Sequence, residues 1–175
     1  MGLLTDIGLD VTVINPKSRQ ACLSTKHNRR HIRYRLTLIV VESNRQIELF
    51  AGFGTLCLLA KVVGKMIGKA VSKKEVDYGI VFCMTGMGVS IVANKFKGVY
   101  AGIVESTFTA ERCKVINNCN VLAMGQSVVT PDMAKVMVDL WLGSKFGEGL
   151  GVDKLKDYLV GCLAEIDKIE VENFK

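Results

Sequence analysis

Three short apolar runs, Tyr78–Cys83, Gly98–Val104 and Asn120–Met124, alternate with segments of helical period between Ala60 and Ile169. No other feature restricts the fold of this chain as much. A short apolar run bounded by turn residues suits a strand buried on both faces. Ala60–Val71 places Val62, Val63, Met66, Ile67 and Ala70 at helical spacing and closes at Ser72-Lys73-Lys74. Further helices are expected from Ser90 to about Lys95, over Thr107–Val115, from Pro131 to near Gly143, and over Val152–Ile169. Proline fits the first turn of the third of these, where its missing N–H costs nothing. Strands and helices in this order predict parallel βαβ units and an α/β layer fold.

The first 59 residues follow another pattern. One strand is expected at Asp10–Ile14, and "RLTLIVVES" (Arg35–Ser43) has the composition of a second. Between Pro16 and Arg35 stand seven basic residues and no acid, which carries the net charge of +6. Such a run could contact nucleic acid, but we read it as a solvated, poorly ordered segment that adds little to a core. His27 and His31 are spaced i to i+4 within it, and no metal role is expected for them. The chain thus divides into an atypical amino-terminal segment, 1–59, and a domain, 60–175.

Six cysteines form no CxxC pair and no zinc spacing, so neither metal nor cofactor is expected. No basic region precedes an apolar one at the amino end, and the longest apolar run, around Ile47–Ala60, is too short for a bilayer. These readings predict reduced thiols and a cytoplasmic protein.

One cysteine is placed for chemistry. In "YGIVFCMTGMGVSIVANKFKGVYAG" (Tyr78–Gly102), Cys83 ends a strand just where a glycine-rich loop begins. Ligands of parallel sheets bind beyond the carboxyl ends of strands. Gly86 and Gly88 allow close backbone approach, and a following helix start offers N–H groups to an anion and favours a thiolate nearby. Thr85 and Ser90 add hydroxyls. The set suits a base that takes a proton beside a carbonyl while N–H groups hold the enediolate. It also suits a structural turn around a buried thiol.

The same stretch resembles the core motif of the ribose-5-phosphate isomerase B and galactose-6-phosphate isomerase family. That motif reads Gly-(apolar)-Cys-Gly-Thr-Gly-x-Gly-x-Ser-(apolar)-Ala-Asn-Lys. The likeness continues through "INNCNVLAMGQSVV" and the helix holding Trp141-Leu142, covering about Ala60–Phe146. It implies a Rossmann-like three-layer α/β/α sandwich with a parallel sheet, here lacking the family's first strand. It further implies a homodimer with sites between subunits, and a phosphorylated sugar or similar anionic metabolite isomerised through an enediolate without a metal. Position by position, Cys83 falls on the base and Thr85 on the threonine near the sugar. Gly86, Gly88 and Ser90 fall on the anion-holding loop, and Asn117 on the asparagine that contacts substrate.

The chain also departs from that pattern. Met84 stands for the glycine after the cysteine, Ile116 for the histidine of ring opening, and Ser127 for an arginine after "MGQ". The late arginine segment reads "FGEGLGVDKLK", with Lys154 and Lys156 near but not at the matching positions. Each lost charge-assisted phosphate contact costs ~1.5–3 kcal/mol. The expectation is therefore an isomerase with a degraded site or, alternatively, a non-catalytic metabolite-binding or regulatory module.

Overall fold

The computed structural model describes residues 60–151 and 155–174 in full, and 25–29, 32–39 and 52–59 by their secondary structure. In chain order the elements are β1 (Thr25–Arg29), β2 (Ile32–Ile39), α1 (Gly52–Ser72), β3 (Tyr78–Cys83) and α2 (Met87–Ala93). They continue with β4 (Ala101–Ile103), α3 (Thr107–Val115), β5 (Val121–Gly125), α4 (Pro131–Gly143) and α5 (Leu155–Asn173). The sheet order is β1-β2-β3-β5-β4. β2, β3, β5 and β4 run parallel, and β1 joins β2 as an antiparallel edge.

Strand alternation divides the core into two faces. Ile80, Leu122 and Met124 point to one side and pack with Ala110, Cys113, Ala134, Met137, Val138 and Trp141 of α3 and α4. Val81, Val121 and Ala123 point to the other side and meet Val63, Ile67, Val89 and Ala93 of α1 and α2. Helices on both faces of a parallel sheet make the layer fold expected from the alternation, in the three-layer form that the family resemblance implies. Both faces of β5 are buried along its whole length, which is why its sequence is apolar without a period of two.

Several boundaries differ from the sequence reading. Thr25–Arg29 and the first residues of β2, Ile32–Arg35, are strand inside the segment expected to be poorly ordered, while the rest of β2 falls on the strand expected from Arg35. Ile32, Tyr34, Leu36 and Leu38 alternate with Arg33, Arg35 and Thr37, a period of two that the basic charges conceal. The strand expected at Asp10–Ile14 lies outside the described residues. α1 begins at Gly52 rather than Ala60. α2 begins at Met87, three residues before Ser90, because Gly86 takes the left-handed conformation (φ 79°) that breaks the loop from the helix. β4 is only three residues long, since Gly98 turns the chain (φ 73°) just before it.

β4 is an outer strand, and its edge is partly sealed by a side chain. The Asn94 carboxamide accepts from the Ala101 amide (2.6 Å) and donates to the Ala101 carbonyl (2.9 Å). α5 ties in nearby: Glu170 accepts from the Gly98 amide (2.6 Å), and Asp167 accepts from the Tyr100 hydroxyl (3.2 Å). Burial, then the charges of Glu170 and Asp167, push the Tyr100 phenol up to about 12. A phenol with a raised value in the fold contributes stability that is complete below about pH 10 and lost as pH rises through about 12. Tyr100→Phe should therefore flatten the loss of stability between these pH values, measured as the denaturant midpoint against pH.

Candidate active site

Cys83 closes β3 opposite Gly125, the last residue of β5. The loops that follow these two strands continue the pairing. Gln126 N–H donates to the Cys83 carbonyl (2.9 Å) and Ser127 N–H to the Met84 carbonyl (3.1 Å). The contact is backbone on backbone. A Cβ on Gly125 would stand 2.8 Å from Thr85 Cα, and one on Gly86 would stand 3.1 Å from the Met124 carbonyl carbon. Glycine is required at both positions, for space at Gly125 and for both space and conformation at Gly86.

Gly125→Ala should consequently cost ~1–3 kcal/mol by overpacking. Gly143, at the end of α4, has nothing among the described residues within 4 Å of the place a Cβ would take. Gly143→Ala should be neutral or slightly stabilising. Denaturant midpoints of the two variants measure the difference.

The loop holds the cysteine sulfur. Gly86 N–H donates to Cys83 Sγ at 3.1 Å, giving negative charge on the sulfur a fixed partner. Cys83 and Thr85 are half-buried, whereas Met84 is 43% exposed at the rim. Thr85 Oγ1 lies 3.4 Å from the Met87 amide, at the outer limit of a hydrogen bond. Gly88 sits in the first turn of α2 with its α-carbon side against Ala60 of α1. Ser90 is one turn further in and 3% exposed, and its hydroxyl donates to the Met87 carbonyl (2.8 Å). Cys83, Thr85, Gly86 and Gly88 therefore gather at the carboxyl end of the sheet. Ser90 lies beneath them with its proton already committed.

Asn117 is elsewhere. It follows α3, is exposed, and precedes β5 at the amino end of that strand. At ~3.3 Å per residue, the four steps from Val121 to Gly125 alone span ~13 Å. Asn117 lines an open groove of about 500 Å³ along β4 with Ile103, Phe108, Arg112, Cys119 and Ile166, and Cys83 is not part of it. One copy of the chain does not bring Cys83 and Asn117 together.

The departing positions divide in the same way. Ser127 belongs to the Cys83 end through its bond to Met84. Ile116, 36% exposed, belongs to the Asn117 end. So does the glycine segment, where Gly147 N–H donates to the Val115 carbonyl (2.8 Å) and Gly147, Gly149 and Gly151 all have positive φ. The stem of Lys156 packs on Gly147, which puts a cation at this end. Sequence order alone gives Lys156 no role, because only the turn at Gly147 brings it close. Lys154 lies outside the described residues.

A buried cation also stands beside this end. Lys114, 8% exposed, donates to the Tyr78 hydroxyl (3.1 Å) and lies 4.2 Å from the Tyr78 ring and 5.8 Å from that of Trp141. Burial lowers its ammonium below the ordinary lysine value. Among the described residues no cluster of three or more His, Cys, Asp or Glu could hold a metal, and no helix is long and apolar enough to cross a membrane.

Comparison with known proteins adds to this geometry. The profile of the Ribose/Galactose Isomerase family matches residues 60–158. The chain is 40% identical over 96 residues to a 4-deoxy-4-sulfo-D-erythrose isomerase of Clostridium sp. (strain MSTE9), covering 55% of this chain and 60% of that one. It is 43% identical over 83 residues to ribose-5-phosphate isomerase B of Escherichia coli (strain K12), covering 47% of this chain and 56% of the relative. The chain thus spans less than two thirds of the length of either relative. Among solved structures, ribose-5-phosphate isomerase B of Clostridium thermocellum superposes with a TM-score of 0.60 at 28% identity, over 78% of this chain and 80% of that one.

Proposed function

The chain belongs to the ribose/galactose isomerase family, and from that premise we propose that it is an aldose–ketose isomerase of a phosphorylated sugar, with residues 60–175 as its domain. The observation that carries this reading is the Gly86 amide on Cys83 Sγ at the carboxyl end of β3. Cys83 takes the proton from the carbon beside the sugar carbonyl and returns it to the neighbouring carbon. Past the Gly86 amide, which is committed to the sulfur, the N–H groups of Met87 and Gly88 hold the enediolate oxygen between the two transfers, and Thr85 contacts the sugar. Ser90 acts indirectly, bracing the loop through the Met87 carbonyl.

The separation of Cys83 from Asn117 supports a homodimer in which each site takes Cys83 from one copy and Asn117 from the other. Ile116 and Ser127 leave such a site without its proton-transferring imidazole and one phosphate contact, with Lys156 as the nearest cation of this chain. These replacements favour a second reading, a metabolite-binding or regulatory module on the same fold.

The test is an isomerase assay on ribose 5-phosphate with the purified chain, Cys83→Ala, Asn117→Ala and an equimolar mixture of the two variants. We expect weak turnover that each single variant abolishes, while Cys113→Ala and Cys119→Ala retain it. Subunit exchange in the mixture should restore about a quarter of the parent rate, because half the dimers then hold one intact site. Turnover that survives Cys83→Ala removes the thiol as base. Binding of the sugar phosphate without any turnover supports the regulatory reading.

A further inference from the structure

Two thiols outside the Cys83 loop face one another. Cys113, in the last turn of α3, and Cys119, just before β5, bracket the five residues Lys114–Asn118. The backbone closes this bracket: Cys119 N–H donates to the Cys113 carbonyl (3.0 Å) and Asn118 N–H to the Lys114 carbonyl (3.1 Å). Asn118 takes positive φ (50°) to make the turn. A direct backbone hydrogen bond brings two α-carbons to ~5–6 Å, the separation of ordinary disulfides. Both sulfurs also crowd the place that a Cβ on Gly102 would occupy, so the absent side chain of Gly102 makes their room. Both thiols are free, and both line the open groove beside β4.

We propose that Cys113 and Cys119 are an oxidisable pair, with a hydroperoxide as oxidant, that closes to a reversible disulfide around the loop bearing Asn117. Cys119 attacks one oxygen of the hydroperoxide and breaks the O–O bond. Its sulfur becomes a sulfenic acid, and the second oxygen leaves with a proton as water or alcohol. Cys113 then attacks the Cys119 sulfur. The S–S bond forms, and the sulfenic hydroxyl departs as water with the Cys113 proton. Two thiols lose two electrons and the hydroperoxide gains them.

The order of attack follows from the surroundings. The hydrogen bond from Cys113, and after it the Lys114 ammonium, pull the Cys119 thiol below its ordinary value against the effect of burial. The same hydrogen bond and burial push Cys113 up. A thiolate-biased sulfur beside a resolving thiol is the arrangement that oxidises selectively. Its consequence is local: the disulfide staples the turn that presents Ile116 and Asn117.

The experiment uses the full chain, hydrogen peroxide and alkylation of the remaining thiols, with mass as the readout, so its outcome is independent of any isomerase activity. Trypsin cuts after Lys114, between the two cysteines. Oxidised chain should yield two peptides joined through Cys113 and Cys119, about 2 Da lighter than their sum and separated by dithiothreitol. The pair should oxidise ~10-fold or more faster than Cys162. Cys113→Ser should trap a sulfenic acid on Cys119 that reacts with dimedone, and Cys119→Ser should give no such adduct at Cys113. Equal oxidation of Cys162, a link through Cys83 instead, or trapping at Cys113 overturns the proposal.

Discussion

Ile116→His should raise turnover of ribose 5-phosphate by ~100- to 10,000-fold over the parent chain, the usual worth of one general acid–base group. The position is prepared for it. Ile116 is 36% exposed at the end of α3, beside Asn117, and its side chain is not part of either core cluster. Imidazole there costs little packing and gains access to solvent and ligand. The gain should appear in kcat more than in KM, because a proton-transfer group acts in the transition state. It should vanish in Ile116→His/Cys83→Ala, since ring opening alone does not move the proton on carbon. Adding Arg at Ser127 should then lower KM with a smaller change in kcat, by restoring a phosphate partner. An Ile116→His chain that folds, dimerises and stays at the parent rate would falsify the proposed division of the site between two copies.

Trp141→Ala should destabilise the fold by ~3–5 kcal/mol, a large share of what a domain of this size has. Trp141 is fully buried among Tyr78, Met137 and Val138, with its ring 5.2 Å from that of Tyr78 in an edge-on arrangement. Its loss opens a cavity under α4 and uncovers Lys114, whose ammonium lies against both rings. Trp141→Phe should cost less than half as much. The indole Nε1 is buried without a hydrogen-bond partner among the described residues, and phenylalanine removes that orphaned donor along with part of the volume. Urea midpoints of the two variants test the pair. Equal losses would show that the indole N–H carries no penalty.

The fold from Ala60 onward was legible because its inner strands, β3 and β5, are largely buried on both faces and its helices are amphipathic or capped. Ser106, whose side chain accepts from Thr109 N–H, and Thr130, which does the same for Met133, mark two helix starts within a residue. The start of α2 was not legible. Ser90 looks like a cap, but Gly86 has the left-handed backbone that makes the turn, and backbone angles leave no mark beyond the glycine itself. The end of β2 was expected from its composition, but β1 and the start of β2 were hidden because basic residues crowd that stretch and arginines occupy alternate positions of the strand. At the site, Cys83 and its loop could be found from local order alone. Gly125 could not, since its requirement comes from a contact with Thr85, far from it in sequence. The thiol pair was missed for a related reason: a spacing of six residues means nothing until a helix end folds back on itself.

The Asn94 carboxamide has a consequence for life in a crowded solution. An open strand edge invites another chain to add itself, and sheets that accept one such visitor accept many. Here a single side chain occupies both hydrogen-bonding groups of Ala101, standing in for the strand that would otherwise arrive. Asparagine is suited to this as aspartate is not, because only the amide offers a donor as well as an acceptor. Asn94 thus acts as a terminator of sheet growth. The residue that caps the end of α2 thereby fills one of the positions at which a further strand would pair.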